Sequence, residues 1–290
     1  MENKSIYYFK PVEELTFTDN FMFQAVLKEP EIAAELVERL LSVKVGYVEY
    51  PELEKQIAPY YSSKGVRLDV YLKDEDKVID VELQNYPEEA LGKRTRYYQS
   101  MIDIDSLMKG QDYEDLKESY ILFICKYDPF SKGGKKLSLP RYTFRNLCIE
   151  NSDVELNDKT SKVIYNASAY ENEKDEKIRD FLKYVCTDSP GKDGFSNRLS
   201  ALVEKIKDND RFKGDYAAVN LHDRDLIRNT RKIAIAEGLA LGEKQGASQK
   251  AVEAAKNLLR MNILSPEQIA KAVNLPLEKV LSLLETQVNS

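Results

Sequence analysis

Apolar and polar residues change their spacing several times along this chain, and each change predicts a different element. Thr18 and Asp19 offer N-cap oxygens ahead of Phe21, Phe23, Val26 and Leu27. Pro30 interrupts that run, and EIAAELVERLL resumes it with Ile32, Leu36, Leu40 and Leu41 near helical spacing. Two short helices or one interrupted helix both fit. In RLDVYL the residues Leu68, Val70 and Leu72 alternate with Arg67, Asp69 and Tyr71. In KVIDVELQ the residues Ile79, Val81 and Leu83 alternate with Asp80, Glu82 and Gln84. Two runs of period two, joined by the acidic turn Asp74 to Lys77, predict an antiparallel hairpin.

Asn85, Tyr86 and Pro87 end the second run. A helix is expected from about Glu88 to Lys109, carrying Leu91, Tyr98, Ile102 and Leu107, with Gly110 as its C-cap. SYILFICK is nearly all apolar and predicts a central strand. RYTFRNLCIE and SKVIYNAS are candidates for two further strands. From Lys174 onward the pattern is helical, with a long helix from about Asp215 towards Gly246. AVEAAKNLLRMNI, SPEQIAKAV and PLEKVLSLLETQ then read as three short helices, the last two shaped like a helix-turn-helix. The expected organisation is an α/β domain over residues 1–170 with a mixed central sheet flanked by helices. A helical extension over 171–246 and a small helical unit over 247–290 follow.

Composition narrows the class. The 290 residues are 42% hydrophobic and 32% charged, enough apolar material for a sizeable core. A net charge of −6 weighs against attraction of nucleic acid by the whole surface, so any phosphate-binding Lys and Arg must be concentrated locally. Cys125, Cys148 and Cys186 are widely spaced and form no CxxC pair, which argues against disulfide staples and structural zinc. The start MENKSIYYFK lacks an apolar leader, and the longest strongly apolar run, Tyr120 to Cys125, is too short to span a bilayer. A cytoplasmic protein without membrane association is expected. His222 is the sole histidine, which leaves no basis for a His triad or His metal cluster.

The hairpin is where chemistry can reside. If its apolar faces point into the core, the carboxylates of Asp69 and Glu82 share the opposite side, and paired cross-strand side chains lie roughly 5 Å apart. Two such carboxylates repel each other unless a cation sits between them. Hard oxygen ligands suit Mg²⁺ or Mn²⁺, which can activate water against a phosphodiester. An ordinary amphipathic hairpin with a solvated acidic face has the same pattern.

The segments TDNFMFQAVLKEPEIAAELVERLL, GVRLDVYLKDEDKVIDVELQ and KRTRYYQSMIDIDSLMKGQDYEDLKESYILFICKYDPF occur in this order between Leu15 and Phe130. Their D…ExQ spacing, RxxxY helix, KGxxY turn and apolar strand together resemble the Rpn family of recombination-promoting nucleases and transposases, within the PD-(D/E)xK superfamily. The resemblance implies a restriction-endonuclease-like core and a metal-dependent DNA endonuclease using Mg²⁺ or Mn²⁺. It implies Asp69 and Glu82 as metal ligands, with Gln84 where the superfamily more often has Lys. Asp19 matches the acid that opens the family's first helix motif. Relatives often carry Lys at the position of Gln24. Arg94, Arg96 and Tyr98 match a basic-aromatic helix expected to contact DNA; a packed Tyr98 beside a solvated Arg94 fits the same residues equally well. A catalytically weak nuclease-fold protein that binds nucleic acid or protein is the alternative.

Other basic groups have bland readings beside functional ones. The SKGGKK loop with Lys132, Lys135 and Lys136 reads as a mobile surface loop. Arg224, Arg228, Arg231 and Lys232 either track a phosphate backbone or form the solvated side of a helix. The last helix offers one Lys and two Glu, so the terminal unit is expected to mediate protein contacts, including homo-oligomerisation, rather than read DNA.

Overall fold

The computed structural model describes residues 10–46, 51–57, 65–87 and 89–288. They form two compact units, Met1–Ala217 and Ala218–Ser290.

In the first unit, helices α1 (Asn20–Leu27) and α2 (Pro30–Leu41) come first. They are separate helices because Glu29, ahead of Pro30, is extended (φ −75°, ψ 112°), as the proline ring requires of its predecessor. Strands β1 (Glu52–Ile57), β2 (Val66–Lys73) and β3 (Lys77–Gln84) follow, then α3 (Leu91–Ser106) and β4 (Glu118–Cys125). A short hairpin, β5 (Ser131–Lys132) with β6 (Lys135–Lys136), precedes β7 (Arg141–Phe144) and β8 (Thr160–Asn166). Helices α4 (Glu176–Thr187) and α5 (Gly194–Lys207) come next, and α6 (Asp210–Met261) carries the chain into the second unit.

Among the described residues, six strands make one mixed sheet in the order β1-β2-β3-β4-β8-β7. β2 and β3 pair antiparallel as expected, while β4 pairs parallel with both β3 and β8. The parallel β3–β4 step needs a crossover, and α3 provides it. β4 is the most apolar strand and lies between two parallel neighbours, where both faces are covered. On one face Leu72, Val81, Leu83, Leu122 and Tyr165 meet α1, α2, α4 and α5 through Phe23, Leu36, Phe181 and Leu199. On the other, Tyr71, Val78, Phe123 and Ile164 meet α3 through Leu91, Tyr98, Met101 and Ile102. The fold is therefore α/β with a mixed sheet flanked by helices, and a helical region at its C-terminal end.

Several expectations are corrected. Asp19 is the residue before α1, but its carboxylate turns back to the Thr16 N–H (2.8 Å) and caps no helical donor. Glu88 lies outside the described residues; α3 starts at Leu91 and ends at Ser106, because Leu107 is extended. Gly110, at φ +95°, lies in a later turn and is no helix cap. β1 has no counterpart in the sequence reading. Its pattern ELEKQI lacks the apolar alternation of a half-buried strand. Of RYTFRNLCIE only the first four residues are strand. The SKGGKK segment is the β5–β6 hairpin, whose turn residues Gly133 (φ +58°) and Gly134 (φ +78°) supply the backbone twist that tight hairpins need.

In the second unit the segment AVEAAKNLLRM is no separate helix but the end of α6, which stops at Met261 ahead of Asn262 and Ile263. It packs Ala255 and Leu259 against Ile269 and Ala270 of α7 (Pro266–Ala272) and Val280 of α8 (Leu277–Val288). Ser265 and Gln268 form a capping box at the start of α7. The side chains of His222, Arg224, Arg228, Arg231 and Lys232 lie outside the described residues.

Candidate active site

Antiparallel pairing of β2 and β3 matches Val70 to Val81 and Tyr71 to Asp80. The next pair outward would be Asp69 and Glu82, and there the regular ladder gives way to side chains. The Asp69 N–H donates to Glu82 Oε1 (2.9 Å), and the Leu83 N–H donates to Asp69 Oδ2 (3.3 Å). Each carboxylate thus takes a backbone donor from the opposite strand. Leu68 packs on the α3 side of the sheet and Val70 on the α1–α2 side, so the simple alternation of β2 also breaks around Asp69.

Helix α3 completes the arrangement from the next connection. Arg94 donates through Nη2 to Glu82 Oε2 (2.8 Å), through Nη1 to Gln84 Oε1 (2.9 Å) and through Nε to the Tyr98 hydroxyl (2.9 Å). Its guanidinium lies over the Tyr98 and Phe123 rings, at 5.0 and 5.3 Å from their centroids. Arg94 and Tyr98 are four positions apart, which puts both on one helical face. The sequence could show that spacing but not that the face would turn towards β3. Gln84 Nε2 in turn donates to the Tyr86 carbonyl (3.0 Å).

Burial sets the electrostatics. Glu82 is only 1% exposed, and burial, reinforced by the nearby Asp69 charge, pushes its carboxyl up to about 8. Burial also raises Asp69, with the Leu83 N–H and Arg94 working against the rise. Asp80, wholly buried two residues before Glu82, is pushed well up by burial and then by the Glu82 and Asp69 charges. Neither Asp80 oxygen meets a hydrogen-bond donor from the rest of the protein. Sequence alternation had put Asp80 on the face of Glu82, without singling it out as a site residue. Burial raises the Tyr98 hydroxyl to about 12, which keeps it protonated at neutral pH.

Asp69, Gln84 and Arg94 line a cavity of about 260 Å³ together with Asn20, Arg67, Leu83, Asn85 and Tyr86. Asn85 fastens this end of β3 to the lead of α1 by donating to the Thr18 carbonyl (2.7 Å). Lys126, just past β4, donates to the Thr18 hydroxyl (3.2 Å). Asn20 and Arg67 are lining residues that sequence reasoning missed, because only the fold brings α1 and the start of β2 to the same rim. A larger cavity of about 500 Å³ lies at the other end of β4 and β8, beside Glu118 and Thr160. It lacks the paired acids, so its size gives it no claim to the chemistry.

The remaining expected residues lie elsewhere. Asp19 pairs with Lys10 (2.9 Å) and with Thr16 rather than with Asp69 or Glu82. Arg96 is exposed on another face of α3. Gln24 is buried beside Phe21 and Phe212, away from the Asp69 cavity.

The donor set suits a hard divalent cation: two carboxylates that repel each other, on adjacent strands, open to a cavity on the Asp69 side. Among the described residues no group of three or more His, Cys, Asp or Glu side chains forms a metal cage. Mg²⁺ commonly binds through one or two carboxylates and keeps several waters, so a two-carboxylate site is compatible with it.

No curated protein matches the chain. Residues 20–184 match the model of the PD-(D/E)XK nuclease family transposases, a span that runs from the start of α1 into α4 and contains the whole site. The chain belongs to this family of PD-(D/E)XK nuclease transposases.

Proposed function

We propose that the protein is a divalent-metal-dependent DNA endonuclease, with Asp69 and Glu82 as ligands for Mg²⁺ or Mn²⁺, serving recombination or element mobility. Family membership supports a nuclease- or transposase-related function in general, and nucleases of this superfamily generally use divalent metals. The observation that carries the specific reading is the reciprocal engagement of Asp69 and Glu82 across β2 and β3 beside a cavity.

A bound divalent cation would polarise the phosphodiester and acidify a water. The protein's own groups have separate tasks. Asp69 faces the cavity and Glu82 sits behind it, so the two present oxygens at different depths. Gln84 gives its amide oxygen to Arg94 and one Nε2 hydrogen to the Tyr86 carbonyl, which leaves the second Nε2 hydrogen as its donor for water or phosphate. Arg94 lines the cavity and brings a fixed positive charge for a phosphate oxygen, a charge that Gln84 lacks. Tyr98 holds the Arg94 side chain in place. Arg67 at the rim offers a further phosphate contact, whereas Arg96 would act only on DNA that reaches the outer side of α3.

A cytoplasmic setting belongs to the proposal. The three cysteines are unpaired, and no described helix is long and apolar enough to cross a membrane. We assign residues 218–290 to self-association.

Plasmid cleavage in Mg²⁺ tests the reading. Asp69→Ala should abolish cleavage while the circular dichroism spectrum stays unchanged; undiminished cutting by that variant refutes the assignment. A second reading, a nuclease-fold protein that binds without cleaving, is favoured by one observation: Arg94 already occupies Oε2 of a Glu82 that is almost wholly buried. Mn²⁺ binding that is lost in Glu82→Ala counts against it.

A further inference from the structure

Glu82 has both carboxylate oxygens engaged, Oε1 by the Asp69 N–H and Oε2 by Arg94. The Arg94 side chain is 26% exposed and faces the cavity, while Glu82 is 1% exposed behind it. A cation entering from the cavity therefore meets Arg94 on the way to Glu82 Oε2. A carboxylate that has lost its water gains strongly from one close positive charge, and a second cation at the same oxygen is opposed by the first.

We infer that Arg94 and a divalent cation compete for Glu82, so that Arg94 sets the metal affinity of the site. This rests on the reading of Asp69 and Glu82 as metal ligands. Arg94 is well suited to being displaced without being lost. Gln84 Oε1, the Tyr98 hydroxyl and the two aromatic rings hold the guanidinium by contacts that do not involve Glu82. Its position at the cavity wall also gives it an alternative partner, the phosphodiester itself. A phosphate that draws Arg94 away from Glu82 strengthens metal binding, and by reciprocity the metal strengthens phosphate binding. The site would then load fully only with substrate present, which restrains cleavage in a resting protein.

The test is a Mn²⁺ titration of the full chain, followed by the electron paramagnetic resonance signal of free Mn²⁺. It is run with and without a phosphorothioate duplex that resists cleavage. Arg94→Gln should bind Mn²⁺ about tenfold more tightly than the wild type without DNA, within the usual range of site-to-site coupling. The gain in affinity caused by the duplex should be about fivefold smaller in this variant than in the wild type. If Arg94→Gln does not fold, Arg94→Lys serves. It keeps the charge but loses the two-pronged contact, and should bind about threefold more tightly. Unchanged or weaker Mn²⁺ binding in the folded variants overturns the competition alone. Absence of Mn²⁺ binding in the wild type as well overturns it together with the metal-ligand reading.

Discussion

Asp69 and Glu82 stand opposite each other on β2 and β3, and the Asp69 N–H points at Glu82 Oε1 from 2.9 Å. The bond ties the backbone of one acid to the side chain of the other, so neither carboxylate can be moved without disturbing its partner's strand. It also keeps a like charge close to a buried carboxyl, which works together with burial to raise Glu82 to about 8.

That rise has a consequence for stability in the absence of metal. An acid whose folded-state pKa lies above its unfolded value of 4.5 binds protons more readily when folded. Its favourable contribution is present in full below pH 4.5 and is lost as the pH rises through about 8. Glu82→Gln, which stays neutral, escapes that loss. Its melting temperature relative to the wild type should therefore rise between pH 5 and pH 9, by roughly several degrees. Thermal melts in chelator across that range check it, and a difference that does not vary with pH contradicts the raised pKa.

Gln84 occupies the place where many superfamily members have lysine, and the obvious repair is expected to fail. Arg94 Nη1 lies 2.9 Å from Gln84 Oε1, so an ammonium at this position would face a guanidinium. Gln84→Lys should cost about 1 kcal/mol of stability and lower cleavage rather than raise it. Gln84→Ala removes the donor but adds no charge, and should lower cleavage by about 100-fold. Single-turnover rates on a plasmid distinguish the two effects; faster cleavage by Gln84→Lys would show that Arg94 yields readily.

How far the sequence could be read depended on how local the cause was. The hairpin of β2 and β3 was legible because Leu68 to Leu72 and Ile79 to Leu83 alternate within a few residues of their turn. β4 was legible from its unbroken apolar run. β1 was not, since Lys55 stands between Leu53 and Ile57 where an alternating strand would carry an apolar residue, and its place comes from pairing with β2. In the site, the spacing of Asp69 and Glu82 and the turn between Arg94 and Tyr98 were visible separately. What joined them was the parallel crossover that lays α3 over β3, a tertiary fact with no local signature. Asp19 fits the same logic in reverse. Its local pattern indicated a helix cap, and Lys10 with Thr16 captured its carboxylate instead.

The turn that sets the register of the hairpin depends on Asp74. Its Oδ1 accepts the N–H groups of Asp76 (2.9 Å) and Lys77 (2.6 Å), and Oδ2 accepts that of Gly46 (2.9 Å). Burial opposes ionisation, but these backbone donors outweigh it and hold the carboxyl below its ordinary value. Asp74→Ala should destabilise the protein by about 1–3 kcal/mol at neutral pH. A depressed folded-state pKa contributes stability above the unfolded value of 3.8, and that contribution is lost as the pH falls through the lower folded value. The gap between wild type and Asp74→Ala should accordingly narrow on acidification below about pH 4. Urea denaturation at pH 7 and pH 3 measures it, and a gap of constant size would locate the effect outside the charge.

Residues 218–290 have a small apolar core of their own, built from Ala255, Leu259, Ile269, Ala270 and Val280. The same unit leaves Met261, Ile263, Leu277 and Leu281 at least partly uncovered, with Ile263 79% exposed. Its last helix brings Glu278 and Lys279 into the first turns and no basic residue into the last, a weak complement to phosphate. Self-association through this unit accounts for both features, because it covers apolar surface without requiring positive charge. Light scattering should therefore give more chains per particle for the full protein than for a chain ending at Ala217. Ile263→Glu combined with Leu281→Glu should shift the full-length protein towards monomer, since each places a charge on the surface to be buried. A full-length protein that is monomeric at tens of micromolar would return this unit to the list of candidate contacts for other proteins.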